Sequence, residues 1–286
     1  YNRLNGTYCA ENKWLLTDVL RDQWGFDGFV VTDYTGILEL VDHGIGSFEE
    51  VSKRALNAGV DMDMVSEGLF TYIKKGLEDG SVSQKTLDTA CRRILEAKYK
   101  LGLFEDPYRY CKEGEAEAKV YCAEHRAAAR RIAAESFVLL KNEKGLLPLD
   151  KKGTVALVGP LANTAANMPG TWSVAAQHNR TVTLLDGMRE TLAGKVNVLY
   201  AKGSNLCSDP ELEARSTMFG RELGRDSRSD AQLLSEALAV ARRSDVVIAA
   251  LGESSEMSGE SSSRSDISIP DVQKRLLDAL LATGKP

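Results

Sequence analysis

Residues 24–33 of the chain read WGFDGFVVTD and join a turn, a short apolar run and a carboxylate. The run from Phe29 to Thr32 is aromatic and β-branched, as in a buried strand, and Asp33 follows it directly. In parallel α/β folds, ligand-binding and catalytic groups collect at the carboxyl ends of strands. The stretch therefore predicts a strand that presents Asp33 to a cleft, while an Asp that caps a helix or braces a loop would fit the same position.

Helical and extended patterns alternate around this stretch. Residues 11–24 form a helical pattern that Asn12 can cap and Gly25 can end; its apolar face would contain Leu15, Leu16, Val19, Leu20 and Trp24. After Asp33, a helical pattern that Gly59 ends precedes a strand pattern over 60–64, and two helical patterns follow around 69–77 and 83–101. Short strand–helix–strand–helix connections predict a parallel sheet covered by helices.

A second alternating region follows a polar segment around Pro107, which predicts an exposed linker. Helical patterns cover 120–141, 184–193, 229–243 and 270–283, and strand patterns cover 155–158, 196–200 and 246–251. Residues 205–228 are polar and weakly periodic, which predicts a long loop. We therefore predict two α/β domains, 1–104 and 128–286, joined by a linker over 105–127.

Composition narrows the class of protein. The 286 residues are 43% hydrophobic and 27% charged, which favours a folded chain over a disordered one. A net charge of −5 disfavours nucleic acid or an anionic membrane as a partner, and no apolar run approaches the ~20 residues of a membrane span. Five scattered cysteines without a CxxC pair disfavour a zinc site or a disulfide framework. We expect no metal and no organic cofactor.

Carboxylates at two other places are candidates for chemistry. Strand alternation would put Asp61 and Asp63 on one face, where bracing of the structure is the simpler role and sugar binding the alternative. Glu253, Glu256 and Glu260 follow the strand pattern 246–251 in a small, polar, glycine-containing segment. Any of the three could be a general acid, and any could be a solvated loop residue. Two carboxylates from distant parts of a chain suggest glycoside hydrolysis.

The order of several segments resembles glycoside hydrolase family 3. They are YNRLNG at 1–6, WGFDGFVVTD at 24–33, AGVDMDM at 58–64, the Arg93–Phe104 segment and the Ala134–Leu149 segment, and together they cover nearly the whole chain. The resemblance implies the C-terminal part of a (β/α) TIM-like barrel followed by an α/β/α sandwich domain. It also implies a β-glucosidase-like retaining enzyme that releases terminal β-D-glucosyl residues by double displacement.

The same resemblance assigns site residues. It implies Asp33 as the nucleophile, Tyr1 as a hydrogen-bond neighbour of that carboxylate, and Tyr34 as a wall of the sugar pocket. In the family, the acid/base glutamate commonly stands in a Gly-Glu step shortly before a Leu/Ile-Pro that opens a helix, so Gly259-Glu260 before Ile269-Pro270 fits best. Glu256 is the second choice and Glu253 the third. A loop over 168–173 would reach the site.

Other readings stay open within and outside the family. The sugar could be that of a β-xylosidase, an α-arabinofuranosidase or an N-acetylglucosaminidase, and an inactive glycan-binding piece is a further alternative. The earlier barrel strands that grip the sugar are not in the chain, so we expect a central piece of a longer polypeptide, completed by other segments of it or by a homodimer. The expected partner is a small oligosaccharide or glycoside, and the expected location of the parent protein is periplasmic or secreted.

Overall fold

The computed structural model describes residues 2–216, 223–260 and 262–286, and the chain divides into two units, 1–137 and 138–286. The first unit begins with a hairpin of β1 (Arg3–Leu4) and β2 (Thr7–Tyr8). Its turn is Asn5-Gly6, and both residues have positive φ, as the tight two-residue hairpin turn requires. A short 3₁₀ helix, Cys9–Glu11, follows.

The helical pattern over 11–24 becomes a π-helix, Trp14–Gln23, whose last turn is closed by a hydrogen bond from the Trp24 amide to the Val19 carbonyl at 3.0 Å. Asn12 caps this helix, since its side-chain oxygen accepts the Leu15 amide at 3.1 Å. The wider π turn rotates Trp24 out of the predicted apolar face, and its side chain is 74% exposed. That part of the prediction is wrong.

Four α-helices complete the first part of this unit: α1 (Glu39–Asp42), α2 (Phe48–Ala58), α3 (Gly68–Glu78) and α4 (Gln84–Lys100). A capping box of Ser47 and Glu50 starts α2, and Gly59, with φ 120°, ends it. The core of the unit surrounds α2 and includes Leu16, Ile37, Leu40, Val51, Ala55 and Val60.

The predicted strands over 29–32 and 60–64 are extended segments joined by one parallel bridge, Val31 to Met62, rather than regular strands. The bridge is real pairing, because the Thr32 amide donates to the Met62 carbonyl at 3.1 Å and the Asp61 amide to the Val30 carbonyl at 2.9 Å. Within the described part of the chain, neither segment pairs with a further strand. Two paired strands alone are only marginally stable, which is consistent with the short ladder.

The first unit ends with α5 (Glu115–Lys119) and α6 (Ala123–Glu135). The predicted helix over 120–141 is therefore too long. The Ser136 amide donates to both the Ile132 and the Ala133 carbonyls, a tightened turn that ends α6. The next four residues, Phe137 to Leu140, are apolar and exposed.

The second unit is built on a parallel sheet of β3 (Thr154–Val158), β4 (Asn197–Ala201) and β5 (Val246–Ala249), in the order β4-β3-β5. Its helices are α7 (Leu184–Thr191), α8 (Pro210–Arg215), α9 (Asp230–Arg242) and α10 (Asp271–Leu281). The short helix α8 lies in the predicted long loop 205–228. Asp209 caps it and Pro210 opens it, a start signal that weak periodicity concealed.

Alternate residues of β3 pack on opposite faces of this sheet. Ala156 and Val158 pack with residues of α9 and α10, while Leu157 packs with Leu185 of α7. The expected mixed α/β class with a parallel sheet is therefore confirmed. No helix among the described residues is both long and apolar enough to cross a membrane, and all five cysteines are free thiols.

Candidate active site

Asp33 is exposed at the carboxyl end of the extended segment that the sequence predicted as a strand. Its Oδ1 atom accepts the Tyr34 amide at 2.7 Å, and its carbonyl accepts the Gly36 amide at 3.0 Å, so a tight turn follows the segment. Thr35 sits in this turn with φ 55°, a conformation that β-branched residues rarely adopt. Such backbone strain is common at functional sites.

The neighbouring segment holds this turn in place. The Thr35 amide donates to the Met64 carbonyl at 2.9 Å, and the Met64 amide donates to the Thr32 hydroxyl at 2.9 Å. These two bonds lie on either side of Asp33. The aspartate is therefore held at its backbone while its carboxylate faces solvent.

Asp61 anchors the start of the same segment. Its Oδ2 atom accepts the Val30 amide at 2.8 Å and the Arg21 guanidinium at 2.7 Å, and its Oδ1 atom accepts from Arg93 at 2.8 Å. Arg21 also donates to the Gly28 carbonyl at 2.8 Å. Burial lowers the pKa of Arg21, and the Asp61 charge opposes that shift.

Asp63 binds the start of the next helix and does not join the ion pairs of Asp61 with Arg21 and Arg93. Its Oδ2 atom accepts the Gly68 amide at 2.8 Å at the start of α3. The predicted alternation of 60–64 fails at Val60, which is buried although Met62 and Met64 are exposed, because the paired segment ends near Met62. The contacts of both aspartates are those of bracing groups.

The surroundings of Asp33 are partly apolar. Tyr34 is 58% exposed. Val31, two residues before Asp33, is also exposed, as are Met62 and Met64 of the segment paired with it. The predicted neighbour Tyr1 lies outside the described residues. The role of Tyr34 as a wall of a sugar pocket stays a prediction.

The second unit places its candidate carboxylates at the carboxyl edge of the sheet. Because β3 and β5 are adjacent and parallel, the loops that follow them leave the sheet on the same side. The loop after β3 covers 159–183 and the loop after β5 covers 250–270. They are joined by the Ser255 amide, which donates to the Asn167 side chain at 3.2 Å.

The three glutamates of the second loop have different surroundings. Glu253 is paired with Arg264 and accepts a hydrogen bond from Ser258. Glu256 is 8% exposed and accepts from the Thr171 hydroxyl at 3.0 Å. Glu260 is exposed and accepts from the indole nitrogen of Trp172. Of the three, Glu260 is the one whose residue is exposed, while Glu253 is intermediate and Glu256 buried.

A cavity of about 570 Å³ opens behind this loop, between α8 and the start of α10. It is lined by polar and ionisable groups that include Cys207, Asp209, Glu256, Arg264 and Asp271. Burial raises the pKa of the Cys207 thiol, which keeps it protonated. Within the described ranges, no three His, Cys, Asp or Glu side chains converge as metal ligands.

Sequence reasoning did not assign the residues that hold these carboxylates. Arg21 and Arg93 lie within the helical patterns 11–24 and 83–101, and Thr171 lies within the loop 168–173. A buried partner on another helix leaves no periodic signal. The position of Arg21 one turn before the WGFDG turn is the nearest hint, since a long cation there can reach the carbonyls of the turn.

Comparison with known proteins agrees with this arrangement. The chain matches models of the glycosyl hydrolase family 3 N terminal domain over residues 1–97 and the glycosyl hydrolase family 3 C-terminal domain over residues 137–286. It is 43% identical to a periplasmic beta-glucosidase of Salmonella typhimurium over 100% of the chain and 38% of that protein. It is 35% identical to a beta-xylosidase of Formosa agariphila over 99% of the chain and 38% of that protein.

Solved structures give the same result. A beta-glucosidase from Listeria innocua in complex with isofagomine is 32% identical and has a TM-score of 0.82, over 100% of this chain and 36% of that one. The chain thus spans well under half the length of the proteins it matches. With both domain models matched in order along the sequence, the chain belongs to glycosyl hydrolase family 3.

Proposed function

We propose that the full-length protein carrying this sequence is a retaining β-glucosidase, with Asp33 as the nucleophile and Glu260 as the acid/base. The observation that carries the proposal is the setting of Asp33, an exposed carboxylate at the end of a backbone held on both sides by hydrogen bonds. Family membership and relatives named beta-glucosidase support the reaction class.

In the proposed first step, a carboxylate oxygen of Asp33 attacks the anomeric carbon and the bond to the leaving oxygen breaks. The Tyr34 amide fixes Oδ1, which makes Oδ2 the attacking atom. Glu260 gives its proton to the leaving oxygen. In the second step Glu260 takes a proton from water, the water oxygen bonds to the anomeric carbon, and Asp33 leaves with its electron pair, so the configuration is retained.

This mechanism needs the two carboxyl groups about 5–5.5 Å apart. Asp33 belongs to the first unit and Glu260 to the second. Tyr34 would offer an aromatic face to the pyranose, and Tyr1 a hydroxyl to Asp33. The expected domain bounds, 1–104 and 128–286 with a linker over 105–127, belong to the same proposal.

The chain covers 38% of its relative from Salmonella typhimurium. We therefore assign the remaining sugar-binding groups to parts of a longer polypeptide or to a second copy of the protein. Since that relative is named periplasmic, we propose a periplasmic location. The barrel itself is proposed from the βα alternation and from the parallel bridge between Val31 and Met62.

A β-xylosidase is the second candidate, because the relative from Formosa agariphila is named as one. The two sugars differ by the hydroxymethyl group on C5. Turnover of matched aryl β-glucosides and β-xylosides by the full-length protein separates them. A higher kcat/KM for the xyloside would overturn the glucosidase assignment and leave the family unchanged.

The nucleophile is tested by Asp33→Ala in the full-length protein with an aryl β-glucoside. We expect a loss of turnover on the order of 10³-fold or more, as with removal of covalent nucleophiles in other hydrolases. Asp22→Ala is the matched control, since Asp22 is an exposed aspartate of the preceding helix. Near wild-type turnover by Asp33→Ala would show that another group attacks the sugar.

A further inference from the structure

Glu256 differs from the other two glutamates of its loop because it is buried among groups that order two loops. Its carboxylate accepts the Thr171 hydroxyl at 3.0 Å, across 85 residues of sequence, and its carbonyl accepts the Ser262 hydroxyl at 2.7 Å. Its residue is 8% exposed. It therefore contacts the loop after β3 with its side chain and a later residue of its own loop with its backbone carbonyl.

Gly259, the residue before Glu260, packs directly against this carboxylate. A Cβ atom at that position would stand 2.4 Å from Oε2 of Glu256, and the Gly259 amide approaches the Glu256 carbonyl at 3.4 Å. A side chain at Gly259 would fit only if the Glu256 carboxylate moved. Glu256 therefore packs against the residue that leads directly into Glu260.

A second path to Glu260 runs through the other loop. Trp172 follows Thr171 directly and donates its indole N–H to the Glu260 carboxylate. The backbone of Trp172 has φ 60°, an unusual value for an aromatic residue, which persists only where neighbouring contacts hold it. The bond from Thr171 to Glu256 is one such contact.

We propose that Glu256 is a positioning residue that holds the acid/base Glu260 in place through Thr171 and Trp172. Contacts of Glu256 reach Glu260 along two routes, one through Gly259 and one through the Thr171–Trp172 pair. The inference depends on the proposed function, because it takes Glu260 to be the acid. It makes Glu256 a support of the acid and excludes it as the acid itself.

A misplaced acid has a signature that a general loss of folding does not. Protonation matters most when the leaving group is a poor one, so substrates that differ only in their leaving group report the acid separately. We expect Thr171→Val and Trp172→Phe to lower kcat/KM on phenyl β-glucoside by about 10–100-fold, the scale of an ångström-sized misplacement. On 2,4-dinitrophenyl β-glucoside the expected loss is about twofold to threefold.

Variants of Glu256 test the same point independently. Glu256→Gln keeps an oxygen that can accept from Thr171 and should lose less than Glu256→Leu, which keeps none. The matched controls are Thr181→Val, in the loop after β3 that contains Thr171, and Glu190→Gln, on the exposed face of α7. Both should leave kcat/KM on the two substrates unchanged. Thermal unfolding of each variant reports whether the fold is intact.

Equal losses on both substrates, or no loss on either, would overturn the positioning role. If Glu260→Ala shows the leaving-group dependence and the Thr171 and Glu256 variants do not, the proposed function stands and this inference fails. If Glu260→Ala shows no such dependence while Asp33→Ala is inactive, the acid assignment itself is wrong, and the positioning role falls with it.

Discussion

Oδ2 of Asp61 lies 2.7 Å from the Arg21 guanidinium, and the two side chains are 1% and 8% exposed. The same carboxylate binds Arg93 and the Val30 amide. One buried charge therefore joins the π-helix, α4 and the segment that leads to Asp33. Its energetic role follows from the cost of leaving a buried cation without its counter-charge.

We expect Asp61→Asn to lower the free energy of unfolding by about 3–5 kcal/mol, because Arg21 would stay buried without a negative partner. Urea denaturation measures the change. Asp27→Asn removes a partner of Lys100 from an exposed pair and should cost less than about 1 kcal/mol. Similar losses of unfolding free energy in the two variants would mean that the buried ion pair stabilises the fold no more than the exposed one.

Gln273 connects two loops at the carboxyl edge of the sheet. Its side chain is fully buried, accepts the Gly252 amide at 2.8 Å and donates to the Leu206 and Gly252 carbonyls at 2.7 and 2.8 Å. Gln273→Met keeps the volume and should cost about 1–3 kcal/mol for each buried group left unpaired. Gln84→Met, on the exposed face of α4, should change the melting temperature little; a comparable loss there would refute the explanation.

Gly159 has two reasons to be glycine. Its φ is 128°, and a Cβ atom would stand 2.2 Å from the Ala250 carbonyl oxygen. Gly80 has φ 76° but open space around it, so Gly80→Ala measures the backbone strain alone, about 1–2 kcal/mol. Gly159→Ala should cost about 1–3 kcal/mol more in chemical denaturation. Equal costs would show that the loop after β3 moves away without penalty.

The pKa of Asp226 is held well below its usual range by side-chain hydrogen bonds from Arg228, at 2.9 and 2.6 Å, and by the Arg228 amide. A depressed pKa means that the folded state binds fewer protons than the unfolded state below about pH 4. The stabilisation is therefore complete above that pH and is lost as the pH falls toward the folded value.

Asp226→Asn should consequently lower the melting temperature at pH 6–7, and the difference from the wild type should shrink between pH 4 and pH 2. Asp278→Asn, at an exposed position of α10, is the control and should show no such convergence. A difference for Asp226→Asn that stays constant from pH 7 to pH 2 would contradict the linkage.

Azide distinguishes the three glutamates of the second loop. In a retaining glycosidase without its acid/base, azide can attack the glycosyl-enzyme and release a β-glycosyl azide. We expect that product from Glu260→Ala with 2,4-dinitrophenyl β-glucoside, and none from Glu253→Ala or Glu256→Ala, where Glu260 remains. Chromatography detects the β-glycosyl azide product. Its appearance with Glu256→Ala alone would reassign the acid.

Local patterns in the sequence were enough for most helices and for the sheet of the second unit. The helices around Ser47 and Ser229 were foreseeable because their capping boxes and apolar periodicity lie within a few residues of each other. The strands β3, β4 and β5 were foreseeable because each is a short apolar run between turns. The position of Asp33 after such a run was visible as well.

Patterns failed where partners distant in sequence decide the outcome. The segments at 29–32 and 60–64 look like strands, but two paired segments alone are only marginally stable, and the one bridge formed here joins residues about 30 apart in sequence. Helix α8 was missed because six residues are too few to show a period.

The sequence by itself determined the family, the α/β class and the nucleophile candidate, because these depend on motifs and on short-range periodicity. Only the tertiary structure decided that Asp61 is a buried counter-ion of two arginines and that Glu256 is bound to Thr171 while Glu260 stays exposed. The order β4-β3-β5 puts the loops after β3 and β5 side by side. The order of the strands depends on contacts that are distant in sequence. The three glutamates lie within eight residues of each other, and their different surroundings come from the loops that this strand order brings together.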